Sequence, residues 1–278
     1  MPDRHFRGEI GIGATNDLSL RVSVATLVRL LFPHPTERTT MLALERRATL
    51  RQTATGGVVG VKSQPFGGAV RIHDIDALRQ SIGEFHFDSE ESRWEQDFRI
   101  FVRALAWGAT REFCLRHLNQ QNDPVLETDP TRELTEEFAE ALEFRLNPDQ
   151  YTYQAVGTIV EEQPAATEYI HASGYPTARV YRIFETHLLD PALISLIMKN
   201  SESLMDHQLA ELALGDFRNG GLGKANAVLV LPFEEISAFY GTIPVEGRNQ
   251  PVSFHNHQLD ETVAAVLDDV TVSKYQRL

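Results

Sequence analysis

Apolar positions along the chain follow two different periods, and this alternation predicts interleaved helices and strands. Residues 18–31, LSLRVSVATLVRLL, carry apolar side chains at roughly helical spacing behind the capping residues Asn16 and Asp17, which predicts an N-terminal helix. Residues 56–72, GGVVGVKSQPFGGAVRI, contain two β-branched runs around a Gly-Gly turn, which predicts strand, turn and strand. Interleaved elements of this kind are typical of α/β or α+β proteins.

The remaining elements follow from the same patterns. Further helices are predicted at residues 75–82, 131–146, 202–214 and 232–240, with a closing helix in the segment 260–278. Further strands are predicted at residues 98–106, 151–160, 178–185 and 227–231, of which 151–160 and 178–185 form a hairpin. Residues 39–51 mix features of helix and strand, and residues 191–200 fit either.

The balance of charge narrows the classes of function. The 278 residues include 39 acidic and 26 basic side chains, which gives a formal net charge of −13. A general nucleic-acid binder needs a basic surface to displace counterions, so we expect no general nucleic-acid binding. Clustered carboxylates can nevertheless hold magnesium, which in turn binds phosphate.

Cysteine usage and hydropathy predict the compartment. The single cysteine, Cys114, excludes an internal disulfide framework and cysteine-based zinc clusters. The N-terminal residues are polar and lack the apolar region of a secretory peptide, and no stretch approaches the ~20 apolar residues that span a bilayer. We therefore expect a cytoplasmic protein without a membrane partner.

An acidic helix is the most informative segment of the sequence. Residues 131–146 follow Asp129, a good N-cap, and the predicted helix places Glu133, Glu136, Glu137 and Glu140 on one face. Like charges at these spacings repel by a few tenths of a kcal/mol per pair, and a divalent cation would relieve the repulsion. The plain alternative is a solvated helix face in an acidic interaction protein.

The order of residues in this helix resembles the Nudix box. Residues 132–137, Arg-Glu-Leu-Thr-Glu-Glu, match its core of Arg-Glu-apolar-x-Glu-Glu, and the Gly67-Gly68 pair follows a strand and a turn as the first half of the box does. Gly67 and Arg132 are 65 positions apart, far more than in the family, and Pro124 and Ala139 stand where the box has a glutamate and a glycine. The match is thus to a divergent Nudix protein with a long insertion inside the box.

The resemblance implies a fold and a domain organisation. We expect a Nudix-like α/β/α sandwich around a mixed sheet, which occupies residues 53–244 and contains an insertion at about residues 74–127. A helical extension would precede it at residues 1–52, and a tail with a helix would follow at residues 245–278. These terminal helices would offer surfaces for a possible homodimer.

The resemblance also implies roles for the residues of the helix. Glu136 and Glu137 would bind the metal, Mg²⁺ or Mn²⁺, and Glu133 would be a further ligand or the base that activates water. Arg132 would orient these glutamates through bidentate bonds. Bound metal would neutralise a pyrophosphate and help to generate hydroxide for attack on phosphorus.

Residues outside the helix would complete the site. The carbonyl of Gly67 or Gly68 would join the metal shell, and Gly67 would also contact substrate. Lys224, in a flexible loop that lacks the spacing of a phosphate-binding loop, could meet a substrate phosphate. The family often adds a further acid from a later loop, for which the candidates are Glu185, Glu202 and Glu211.

The sequence therefore predicts a Mg²⁺- or Mn²⁺-dependent hydrolase that cleaves the pyrophosphate bond of a nucleoside diphosphate linked to another moiety. Its partner would be a nucleotide-type small molecule. The alternative is a Nudix-fold module that binds a nucleotide and regulates a partner without chemistry, because the box lacks its first glutamate and its glycine. The enzyme hypothesis requires Glu133, Glu136 and Glu137 to converge with Gly67 or Gly68.

Overall fold

The computed structural model describes residues 19–53, 56–161, 164–166, 174–267 and 270–278. Its strands are β1 (Ser19–Pro33), β2 (Thr40–Thr53), β3 (Gly56–Gln64), β4 (His86–Phe87), β5 (Arg99–Arg103), β6 (Tyr151–Glu161), β7 (Ala165–Ala166), β8 (Pro176–Leu188), β9 (Lys224–Pro232), β10 (Val252–Phe254), β11 (His257–Leu259) and β12 (Tyr275–Arg277). Its α-helices are α1 (Ile75–Ile82), α2 (Glu90–Glu95), α3 (Trp107–Leu118), α4 (Thr131–Leu142), α5 (Pro191–Ser203), α6 (Asp206–Arg218), α7 (Phe233–Thr242) and α8 (Val263–Val266).

The described strands form one mixed sheet. Its main path runs β10-β11-β3-β2-β1-β8-β6-β12, with β9 paired to β2, β5 to β1 and β7 to β8. The long central pair, β1 and β8, is parallel, whereas β2 pairs with β3 and β9, and β6 with β8, in antiparallel fashion. The fold is thus mixed α/β, as the interleaved pattern predicts.

The predicted N-terminal helix is wrong, because residues 19–33 form the central strand β1. Helices cover both faces of this strand, so its side chains are buried almost without interruption, and its apolar residues match a helical spacing by chance. Residues 40–53 form the neighbouring strand β2, so a helical extension over residues 19–52 is also wrong. The proposed caps Asn16 and Asp17 lie outside the described residues.

The two faces of β1 carry different helices. On one face of the strand, which we call the front face, Val22 and Val24 pack against α1 and α3, and Val28 packs against α4 and α5. Leu31 packs on the opposite, back face against α7 and α8. The carboxylates of α4 therefore belong to the front face, over the junction of β1 with β2.

Most other predictions agree with the structure. Helix α1 has the predicted bounds, α6 and α7 lie within a few residues of theirs, and β6 pairs with β8 as the predicted hairpin. The predicted closing helix is wrong, since the described residues of the segment 260–278 form the four-residue α8 and the edge strand β12 and no longer helix. Among the described helices, none has the length and apolar character needed to cross a membrane.

The segment between the Gly67-Gly68 turn and α4, predicted as an insertion, folds as α1, β4, α2, β5 and α3. Strand β5 pairs with the first residues of β1, and the side chains of α1 and α3 form one core with it. The chain then returns to the front face, where α4 begins beside the turn.

Candidate functional site

Helix α4 is fixed by its apolar side. Asp129 Oδ1 accepts a hydrogen bond from the Thr131 N–H at 3.0 Å, which holds the first turn. Leu134 and Phe138 are fully buried, and the ring of Phe138 lies 5.2 Å from that of Phe66, just before the glycine turn. The helix is therefore anchored to the segment that carries Gly67 and Gly68. It ends at Leu142, earlier than predicted.

The predicted stripe of four glutamates splits into two pairs. Glu133 and Glu137 are buried against the glycine turn, with 8% and 5% of their surface exposed. Glu136 and Glu140 face solvent. Glu140 Oε2 accepts a hydrogen bond from Asn226 of β9 at 2.7 Å. The solvated-face alternative therefore holds for only half of the stripe.

The Gly67-Gly68 turn contacts both buried glutamates. The Gly67 N–H donates to Glu137 Oε2 at 2.6 Å. Gly68 lies so close to the Glu133 carboxylate that a Cβ atom at this position would overlap it. Gly67 has a φ of +134°, and a Cβ there would collide with the Thr26 carbonyl. Gly67 therefore needs glycine for its backbone conformation and for space, whereas a side chain at Gly68 would have to displace the Glu133 carboxylate.

Gly68 makes a second backbone contact that bears on its predicted role. Its carbonyl accepts a hydrogen bond from the Thr26 N–H of β1 at 2.9 Å. One of the two lone pairs of this oxygen is thus already used. A metal-binding role for the Gly68 carbonyl stays a prediction.

Arg132 contacts three carboxylates. It donates to both oxygens of Glu127, from Nε at 2.9 Å and from Nη2 at 2.7 Å. Nη2 also lies 2.5 Å from Glu133 Oε1, and Nη1 lies 3.1 Å from Glu136 Oε2. A further bond to the Ala69 carbonyl, at 2.8 Å, ties the guanidinium to the glycine turn. Arg132 thus has the orienting contacts that the resemblance implies, and Glu127 is a partner three positions from the expected one.

Strand β2 contributes two residues that sequence reasoning missed. Glu45 is fully buried and accepts bonds from Arg47 Nη2 at 2.8 Å and from Gln64 Nε2 at 2.9 Å. Arg47 Nη2 also lies 3.6 Å from Glu137 Oε1. The signal is the i, i+2 spacing that puts Glu45 and Arg47 on the front face of one strand. The strand was not predicted, because residues 39–51 mix the sequence features of helix and strand.

The buried carboxyl groups are held in an unusual electrostatic state. Burial raises the pKa of Glu133 to about 7, with Glu136 and Glu127 adding to the effect and Arg132 opposing it. Burial and the nearby Glu45 raise the pKa of Glu137 well above its ordinary value, against the Gly67 N–H and Arg47. Each group therefore holds a proton more tightly than an exposed glutamate does.

Neighbouring charges add to the effect of burial. Among the described residues, five carboxylates surround the turn, and the guanidinium groups of Arg47 and Arg132 bond to them. The five are Glu45, Glu127, Glu133, Glu136 and Glu137. Hard oxygen ligands with excess negative charge are the donor set that Mg²⁺ and Mn²⁺ prefer. Among the described residues, however, no three His, Cys, Asp or Glu side chains are arranged as a ready metal site.

The other predicted residues lie at different distances from the turn. Lys224 is the first residue of β9 and is exposed, two positions from Asn226, so both side chains point to the front face. Glu185 pairs with Arg29 at 2.6 Å on the back face. Glu202 and Glu211 are exposed on α5 and α6. The additional acid beside the buried glutamates is instead Glu45, from an earlier strand.

We compared the chain with models of known protein families, with curated proteins and with solved structures. None of the three comparisons found a match.

Proposed function

We propose that this chain is a divergent Nudix-type hydrolase that uses Mg²⁺ or Mn²⁺ to cleave the pyrophosphate bond of a nucleoside diphosphate linked to another moiety. One observation carries the proposal. Glu133 and Glu137, 65 or more positions from the Gly67-Gly68 pair, lie against that pair in the fold. This is the convergence that the enzyme hypothesis requires for two of its three glutamates.

The residues fit the divalent ion through their donor chemistry. Glu133 and Glu137 would hold it, and Glu136 would join them by giving up its exposed ion pair with Arg132. Bound metal would neutralise phosphate charge and lower the pKa of a bound water. Binding would also offset the neighbouring negative charge that adds to the effect of burial on the pKa of Glu133 and Glu137.

The chain's own residues would supply orientation and proton transfer. Arg132 fixes the positions of Glu127 and Glu133 through bonds of 2.5–2.9 Å. The alternative role for Glu133 is that of the general base: its pKa of about 7 in the metal-free protein suits a group that accepts a proton from water near neutral pH. Glu45 and Arg47 set the charge beside Glu137.

A specific observation favours the second candidate, a nucleotide-binding module without chemistry. Arg47 already bonds to Glu45 and approaches Glu137, so its guanidinium partly neutralises the negative charge that would attract a metal to Glu137. Such a module would gain thermal stability from a nucleotide without converting it.

The test is a substrate screen with purified protein. Nucleotide sugars, dinucleotides and ADP-ribose-like compounds are incubated with Mg²⁺ or Mn²⁺, and the release of nucleoside monophosphate is measured. Glu137→Gln should lower turnover about 100-fold or more, because it removes a buried ligand charge. The matched control is Glu140→Gln, one turn further along the solvent side of α4, which should retain turnover.

Two outcomes count against the enzyme. Turnover that survives Glu137→Gln unchanged would mean that these carboxylates are not the site. Thermal stabilisation by a nucleotide with no turnover of any compound would favour the binding module.

A further inference from the structure

A row of polar residues crosses the front face between two hydrophobic clusters. Thr158 of β6 pairs with Arg182 of β8, and Arg182 pairs with Thr26 of β1. Val24 and Val180 belong to the cluster on one side of this row, and Val28 and Phe184 to that on the other. Polar residues in the middle of a covered sheet face are uncommon, so the row calls for an explanation.

This row leads to the carboxylate site. The bridges of Ala25 with Ala69 and of Val28 with Phe66 place Gly68 opposite Thr26, and the Thr26 N–H bonds to the Gly68 carbonyl. Arg182 and Gly68 are thus two strand spacings apart, or roughly 10 Å. This separation is within the length of an extended nucleoside diphosphate conjugate, which would pass over the fully buried Thr26 to join the two positions.

Arg182 has only neutral partners among the described residues. Its Nη1 donates to Asn119 Oδ1 at 2.6 Å and to Thr158 Oγ1 at 3.0 Å, while Nε is buried without an acceptor. Its near neighbour on β8, Arg179, is by contrast paired with Glu161 at 2.8 Å. Burial alone lowers the pKa of Arg182, which agrees with the lack of an acidic neighbour.

A half-buried cation without a counter-charge costs free energy in the unliganded protein. Asn119 and Thr158 do not need the guanidinium, because the Thr158 hydroxyl bonds to Asn119 Oδ1 at 3.1 Å. In a chain with 39 acidic side chains, none of the described ones is placed beside Arg182. A counter-charge supplied by a ligand accounts for this arrangement.

We propose that Arg182 binds a phosphate group of the substrate, at the end of the polar row remote from the metal-binding glutamates. This inference rests on the proposed function, because it assigns the anion to a nucleoside diphosphate conjugate. Phe184 lies beside Arg182, and the half-exposed ring of Tyr153 stands edge-on to Phe184 at 5.9 Å. Tyr153 therefore offers a stacking surface for the base or for the second moiety.

The test separates anion binding from metal chemistry. Binding of inorganic pyrophosphate and of ADP is measured by calorimetry and thermal shift in EDTA, for the wild type and for Arg182→Met. We expect the substitution to weaken both affinities by about tenfold or more, since it removes a charged hydrogen-bond donor. The melting temperature of Arg182→Met without ligand should equal or exceed that of the wild type. Arg116→Met, which removes an exposed arginine of α3, is the matched control and should bind as the wild type does.

Other results would overturn the inference. It fails if the wild type binds neither probe, if Arg182→Met binds both as tightly as the wild type, or if that variant is less stable without ligand, since the arginine would then be structural. Arg182→Lys provides a second check, because it keeps the charge but not the planar donors and should bind with intermediate affinity.

Failure of this inference is distinguishable from failure of the proposed function. Glu137→Gln should keep its affinity for pyrophosphate in EDTA, where no metal contributes. The two can fail separately. If Arg182→Met loses anion binding while turnover is unchanged in Glu137→Gln, the anion site is supported and the proposed hydrolase site is contradicted.

Discussion

Two arginines organise the carboxylates around the glycine turn. Arg132 bonds to three glutamates and Arg47 bonds to one and approaches another, as the planar fork of donors in a guanidinium allows. The two cations leave part of this negative charge unbalanced. Burial is the main cause of the raised pKa of Glu133 and Glu137, and the neighbouring carboxylates add to it; a divalent ion would offset that added charge.

Glu133 makes the stability of the metal-free protein depend on pH. Its pKa is about 7 in the folded protein and about 4.5 when unfolded, so the folded state holds the proton more tightly. Protonation of Glu133 therefore stabilises the folded protein by up to about 3 kcal/mol. This stabilisation is complete below pH 4.5 and is lost as the pH rises through 7. The free energy of unfolding, measured with denaturant in EDTA, should therefore fall more between pH 5 and pH 7.5 in the wild type than in Glu133→Gln. Equal losses would contradict the raised pKa.

Arg47 should compete with a metal ion for Glu137. Arg47→Met removes the guanidinium that lies 3.6 Å from Glu137, so the apo protein should lose about 1–2 kcal/mol of stability while its affinity for Mn²⁺ rises about tenfold. Arg47→Lys keeps the charge, so its affinity for Mn²⁺ should lie between those of the wild type and Arg47→Met. Calorimetric titration with Mn²⁺ measures the effect. An affinity that is unchanged or lower in Arg47→Met would show that Arg47 does not compete.

Gly68 should tolerate no side chain. In Gly68→Ala the new methyl group overlaps the Glu133 carboxylate and must displace it, so Mn²⁺ affinity and turnover should both fall about tenfold or more. Gly60→Ala in β3 is the control, because a Cβ there meets no atom within 4 Å. Unimpaired Mn²⁺ binding by Gly68→Ala would mean that the position of Glu133 does not matter.

At the scale of elements, helix α4 was predictable and strand β1 was not. Charged residues at i, i+3 and i+4 together with a short apolar side define a surface helix clearly, so α4 follows from its own sequence. Strand β1 is buried on both faces by helices from elsewhere in the chain. Its apolar residues therefore do not follow the strict alternation of a half-buried strand and fit a helix equally well, and only the tertiary structure decides between them.

The candidate site was partly predictable for the same reason. The local pattern of α4 identifies Arg132, Glu133 and Glu137, and the Gly-Gly pair marks the turn. Glu45 and Glu127 join them through contacts across 92 and 6 positions, respectively, that no local pattern encodes. Spacing also failed to show that Glu137 is buried while Glu136, its neighbour, is exposed, since that depends on how the helix is rotated against the sheet.

The anchor of α4 on the sheet should be Phe138. Phe138→Ala leaves a cavity beside Phe66 and should cost about 3–5 kcal/mol in urea unfolding. Leu212→Ala, at an exposed position of α6, should cost less than about 1 kcal/mol. A loss below 1 kcal/mol for Phe138→Ala would mean that other contacts hold the helix against the glycine turn.

At the scale of the whole molecule, the sheet brings two acidic features and one basic feature to a single face. The α4 carboxylates and Glu45 lie at its junction of β1 with β2, and Arg182 lies two strands away. The charged groups are therefore unevenly distributed, with acidic residues gathered at the glycine turn and Arg182 without an acidic partner among the described residues. Under our proposals, these are the two positions that would bind a pyrophosphate compound on the front face.

The central claim is that a divalent ion binds between Glu133 and Glu137 at the glycine turn. Crystals of the protein soaked in Mn²⁺ and measured at the manganese absorption edge test it directly. The account predicts an anomalous peak within coordination distance of both carboxylates, with Arg47 moved away from Glu137. A map with no peak there at saturating Mn²⁺, and with Arg47 still beside Glu137, would contradict it.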